Sequence, residues 1–139
     1  MSQFFDRFRR PAEPTDEETA EAMRDLAEVF RSGSKAEGVP FGWGPDEADR
    51  LDGLCDAFLA TGPTAERRHS VVMSMGAFLG ELLVRNGGGL WAYDTKENAA
   101  VVVLPNGLRA FPHNKVAKRL DLGPEQSISA FYRYALTRE

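Results

Sequence analysis

The sequence predicts an α+β fold, with a helical N-terminal half, a three-stranded antiparallel sheet and two C-terminal helices. Three observations carry that expectation. Apolar residues recur at helical spacing from about residue 15 to residue 86. Between Leu90 and Phe111 the period falls from roughly 3.6 residues to roughly 2. The turns between those period-2 runs are short enough to demand antiparallel neighbours, and segregated helices and strands mean α+β rather than α/β.

The first long helix is expected to open at Thr15. Thr15-Asp16-Glu17-Glu18 matches a capping box with Thr15 as N-cap, and its acids suit the positive end of the helix dipole. Met23, Leu26, Ala27 and Phe30 supply its buried stripe, and Ser32-Gly33 are expected to end it. From Gly33 to Gly44 a glycine-rich loop carries Val39, Phe41 and Trp43, read as plugs that pin the connection to the core. The second helix starts near Pro45-Asp46-Glu47, with proline in its first turn, and ends before Gly62-Pro63. Leu51, Leu54, Cys55, Phe58 and Leu59 lie on one of its faces.

The third helix is expected from Thr64 to Asn86, with Thr64 as N-cap. Its apolar face holds Val71, Val72, Met75, Phe78, Leu79, Leu82 and Leu83. Gly76 and Gly80 stand four residues apart, which allows another element to approach the backbone closely. Gly87-Gly88-Gly89 predicts a left-handed cap. Trp91 and Tyr93 then share one side of a first strand, and Ala99 to Leu104 form a well-covered second strand. Pro105-Asn106-Gly107 makes a tight turn, and Leu108 to Phe111 return as a third strand. The glycine-bearing helix covers the sheet most economically. Helices over about 112–122 and 124–137 close the chain, the last with Ile128, Phe131, Tyr132, Ala135 and Leu136 on one face. The domain reading is an arm over 1–14 and a single α+β domain over 15–139.

With 139 residues, 17 Lys+Arg against 21 Asp+Glu and a formal net charge of −4, the chain is neither wholly disordered nor a basic nucleic-acid binder. The charge is unevenly placed. Residues 1–66 hold 7 basic and 15 acidic side chains, and residues 67–139 hold 10 basic and 6 acidic. The two stretches therefore carry −8 and +4. One cysteine, Cys55, excludes an intramolecular disulfide. Asp52 and Asp56 flank it, so a buried, unreactive thiol is expected. Neither a membrane span nor a signal-peptide core is apparent, which makes the cytoplasm the expected location. Arginine outnumbers lysine 13 to 4, a bias suggesting a GC-rich bacterial genome.

Enzymatic signatures are missing. No cysteine pair holds zinc, and His69 and His113 have no local partner at ligand spacing. Gly87-Gly88-Gly89 follows a helix and precedes a strand, the wrong order for a phosphate-binding loop. No metal and no cofactor are expected.

Two clusters remain. Phe4, Phe5 and Phe8 alternate with Arg7, Arg9 and Arg10 in the N-terminal arm, which either folds back on the domain or docks on a partner or an anionic membrane surface. Arg109, His113, Lys115, Lys118 and Arg119 form a basic cluster. Lys115, Lys118 and Arg119 share one helix face by spacing, read as either a solvated surface or a site for an anion or acidic partner. His113 is the candidate general base of a small enzyme, with Glu81 or Asp94 as its orienting carboxylate.

Gly80-Glu81 late in a helix, Trp91, Phe111-Pro112, Val116, Lys118-Arg119 and Gly123 form a further pattern. On these marks the segment from Gly76 to Leu122 resembles a bacterial, actinobacterial-type family of domains of unknown function. The resemblance implies a small α+β domain with no established activity. It marks Trp91 as a sheet plug, Pro112 as a strand-to-helix start and Lys118-Arg119 as a helix anchor.

The function expected from the sequence is a non-catalytic protein-interaction or ligand-binding module. An immunity-type inhibitor that masks a toxin with its acidic half stands second. A small enzyme acting on an anionic substrate through His113, Arg109 and Lys115 stands third. Sequence-specific nucleic-acid binding is not expected, since no helix-turn-helix is evident. The oligomeric state is open.

Overall fold

The computed structural model describes residues 12–137. Phe4, Phe5 and Phe8 of the expected arm lie outside the described residues. The elements run α1 (Asp16–Ala36), α2 (Glu47–Ala60), α3 (Ala65–Gly87), β1 (Leu90–Asp94), β2 (Ala99–Val103), β3 (Arg109–Ala110), α4 (Pro112–Leu122) and α5 (Ile128–Thr137). The fold is α+β as expected, with the strands in the order β1-β2-β3, all antiparallel.

Local signals set most boundaries. The Thr15 hydroxyl accepts from the Glu18 N–H at 3.0 Å, and the Glu18 carboxylate accepts from the Thr15 N–H at 2.8 Å, satisfying two donors the helix start leaves open. Thr64 caps α3 by accepting from the Arg67 N–H. Gly88 ends α3 in the left-handed region, at φ 70°. In the β2–β3 turn Gly107 has φ 87°, and its N–H donates to the Leu104 carbonyl at 2.8 Å.

Three boundaries differ from the expectation. α1 runs through Gly33 to Ala36, because the buried stripe continues from Phe30 to Ser34 and tertiary packing outweighs the roughly 1 kcal/mol cost of an interior glycine. β3 shrinks to two residues, since Leu108 closes the preceding turn and Phe111 already caps α4. α5 begins at Ile128 rather than Pro124, because Pro124–Gln126 form a turn and the caps lie at Ser127 and Asp52.

The core sits around α3, which packs against α1, α4 and the sheet. Its two spaced glycines make those contacts close. A Cβ at Gly76 would lie 2.4 Å from the His113 ring and 2.8 Å from its Cα. One at Gly80 would lie 2.1 Å from the Trp91 indole. Aromatic rings fill the α1–α3 seam. Phe30 stacks on Phe78 with centroids 4.8 Å apart, and Phe41 meets Phe78 edge-on at 5.5 Å. Phe41 is buried and Trp43 half-buried against Phe78, so the glycine-rich loop is plugged into the core as its aromatics suggested.

Candidate binding cleft

The structure disperses the basic cluster. Arg119 is 2% exposed and turns toward α2, where Nε donates to Asp52 (3.0 Å) and Nη2 to Asp56 (2.8 Å). It does not share a solvent face with Lys115 and Lys118, because it falls in the inward stripe of α4 with Pro112, Val116 and Leu120. Lys118 is exposed. The Lys115 ammonium donates to Gln126 at 3.1 Å and lies 6.0 Å from the Phe131 ring. Partial burial and the nearby Lys118 charge push its pKa down, with Asp52 opposing. Arg109 donates to Asp94 at 2.7 Å on the sheet.

His113 packs on Gly76. Its Nε2–H donates to the Met73 carbonyl at 3.1 Å, and burial holds its pKa below the usual histidine value. Among the described residues no carboxylate lies within ion-pair distance of the ring. Glu81, the expected orienting partner, is instead buried under Trp91, accepting from its indole N–H at 2.8 Å and from Arg85 at 3.3 Å. Asp94 accepts from the Glu97 N–H and from Arg109, which hold its pKa below the usual carboxylate range. No described group of three or more His, Cys, Asp or Glu residues is arranged to hold a metal ion. No described helix is long and apolar enough to cross a membrane.

Arg119 instead organises a polar network that closes the C-terminal end of the fold. Asp52 accepts from four donors: Arg119, the Ser127 hydroxyl, and the N–H groups of Ile128 and Ser129. It is thus a cap for α5 supplied by α2. Burial alone would raise its pKa, but these donors outweigh burial and hold it low. Asp49 adds bonds to the Ser129 hydroxyl and to Arg133. The acidic α2 is therefore held to the basic α4 and α5, and part of the charge asymmetry in the sequence is spent inside the fold.

That docking leaves a gap elsewhere. α2 packs on α4 and α5, whereas α1 packs on α3 and β1. The apolar flanks of α1 and α2 consequently face each other across α3 without closing. Between them lies a cleft of about 630 Å³, within the range of ligand pockets. α1 and the following loop contribute Val29, Phe30 and Val39. α2 contributes Leu54 and Phe58, and α3 contributes Val71 and Met75. Val29 is 61% exposed, an apolar side chain at the mouth. Among the described residues, the charged side chains in the cleft lining are Glu37, Glu66 and Arg67. Arg67 lies 5.5 Å over the Phe58 ring. The hydroxyls of Ser70 and Ser74 line the α3 side.

Sequence reasoning missed this cleft. Leu54, Phe58 and Val71 are assigned to apolar helix faces by periodicity alone, and periodicity does not tell a packed face from an open one. The available signal was Val29, an apolar residue off the Met23–Ala27–Phe30 stripe.

The fold and the cleft together define an α+β chain with an open apolar groove on its helical side. No family model, curated protein or solved structure matches the chain.

Proposed function

We propose that the protein is a non-catalytic interaction module whose α1–α2–α3 cleft takes a short aromatic segment flanked by basic residues. The carrying observation is the open apolar cleft, whose lining among the described residues holds two carboxylates against one guanidinium. Aromatic side chains bring large contact area at low entropic cost, and a cleft of this volume suits two or three of them. Net negative charge at the mouth favours basic flanks over acidic ones. Among the described residues no carboxylate lies within ion-pair distance of His113, which argues against the acid–base alternative.

The test uses N-phenyl-1-naphthylamine, a neutral apolar fluorophore, titrated into the full chain. Saturable enhancement is expected. Val29→Asp places a charge at an exposed site and should weaken it. Gly33→Leu should also weaken it by filling the cleft, since a Cβ at Gly33 meets nothing within 4 Å. Unchanged circular dichroism shows that both variants fold. Probe binding indifferent to both substitutions would overturn the assignment of the site.

A further inference from the structure

Residues 1–11 lie outside the described part of the chain, and they carry the chemistry that the cleft is proposed to select. Phe4, Phe5 and Phe8 are interleaved with Arg7, Arg9 and Arg10. We infer that the N-terminal segment of the same chain occupies the cleft, seating its phenylalanines between α1, α2 and α3 and so competing with any external partner. The inference rests on the binding reading above and supplies its regulation.

Reach supports it. The capping box stops α1 at Thr15, whose backbone is extended (φ −72°, ψ 166°), and Pro14 disfavours helix in the residue before it. At about 3.3 Å per extended residue, Phe8 lies up to about 23 Å from Thr15 and Phe4 up to about 36 Å. Along α1, at about 1.5 Å per residue, Val29 lies about 21 Å from Thr15 and Glu37 about 33 Å. A segment folding back antiparallel to α1 thus brings Phe8 level with the near end of the cleft and Phe4 with its far end.

The intervening surface also fits. Glu18, Ala22, Asp25, Val29 and Gly33 share one side of α1 by helical spacing and are all exposed. The adjoining stripe, Thr19, Met23, Ala27 and Phe30, is buried. A path with small or apolar residues at its centre and carboxylates at Glu18 and Asp25 therefore leads to the cleft. It ends at Glu37 and Glu66. Arg7, Arg9 and Arg10 are opposite in charge to those acids, and Arg10, up to about 17 Å from Thr15 when extended, reaches the level of Asp25, about 15 Å along α1.

Two measurements on the full chain decide the matter. The first compares fluorophore affinity in the unaltered chain and in the triple variant Phe4→Ser, Phe5→Ser, Phe8→Ser. If the segment fills the cleft about nine-tenths of the time, removing its rings tightens apparent binding about tenfold. Equal affinity would overturn self-occupancy while leaving the cleft as a binding site. Binding in neither protein would remove the binding reading itself.

The second needs no ligand. A nitroxide is attached at Ser2→Cys, and amide broadening is mapped by NMR. Selective broadening at Gly33 and Val71, but not at Leu122, is expected. Uniform or absent broadening would overturn the inference. So would broadening that appears only between differently labelled copies, which assigns the occupant to a second molecule.

Discussion

The indole of Trp91 lies against the backbone of Gly80, so close that a Cβ there would sit 2.1 Å from Cη2 and 2.3 Å from Cζ2. The same indole donates to the buried Glu81 carboxylate, one residue further along α3. β1 is thereby fixed to α3 by a shape fit and a charge-assisted bond made by one side chain.

Gly80→Ala should destabilise the protein by about 1–3 kcal/mol, because the extra methyl drives into a fixed ring. Gly53 lies exposed inside α2 with open space around a built Cβ, so Gly53→Ala should stabilise it by about 0.5–1 kcal/mol through helix propensity. Urea denaturation of the two variants tests the pair. Similar midpoints would show that the Gly80 contact is not tight.

Asp52→Ala removes the α5 cap and one of two carboxylates on buried Arg119. The expected loss is about 3 kcal/mol, the lower end of the range for breaking a buried ion pair, since Asp56 keeps its bond to Arg119. The same carboxylate sets a pH dependence. Its folded-state pKa lies below the ordinary 3.8, so its contribution is present above that value and is lost as pH falls through the folded value. Acid unfolding of Asp52→Asn should show a shallower slope below pH of about 4 than the unaltered chain. An unchanged slope would place the acid sensitivity elsewhere.

Cys55 should be inert in the folded protein. Burial raises its pKa to about 12, with Asp52 and Asp56 adding to the effect and Arg119 opposing it, so at pH 8 only about one thiol in ten thousand is ionised. Labelling with a disulfide reagent should follow global unfolding. Rapid stoichiometric labelling under native conditions would contradict the packing of Cys55 against Met75 at 3.7 Å.

His113 should remain neutral at pH values where an ordinary histidine is charged. Burial depresses its pKa, and the bond to Met73 only partly opposes that. A depressed pKa means the unfolded chain takes up the proton first. Stability is therefore full above the ordinary value of 6.5 and declines as pH falls through the folded value. Carbon-detected NMR of the imidazole follows the titration directly. A midpoint at or above 6.5 would show that burial does not hold the ring neutral.

Several features were legible because their causes are local. The Thr15–Glu18 box needs only four consecutive residues, and the turn at Asn106-Gly107 needs only two. Gly76 and Gly80 announced a close approach by their spacing, although not that His113 and Trp91 would make it. The basic helix face was misleading for a physical reason. Lys115, Lys118 and Arg119 are equally charged and nearly aligned, yet what places Arg119 inside is a pair of carboxylates 67 and 63 residues earlier in the chain.

The α+β class, the order of elements, the caps of α1 and α3 and the plugging of the aromatic loop are all readable from the residues in order, since each follows from short-range periodicity or backbone preference. Which charges face inward, where α5 begins and where the cleft opens are not readable from the order of residues. Those depend on contacts between segments far apart in the chain, in which Asp49, Asp52 and Asp56 of α2 bond Arg119, Arg133 and the first N–H groups of α5.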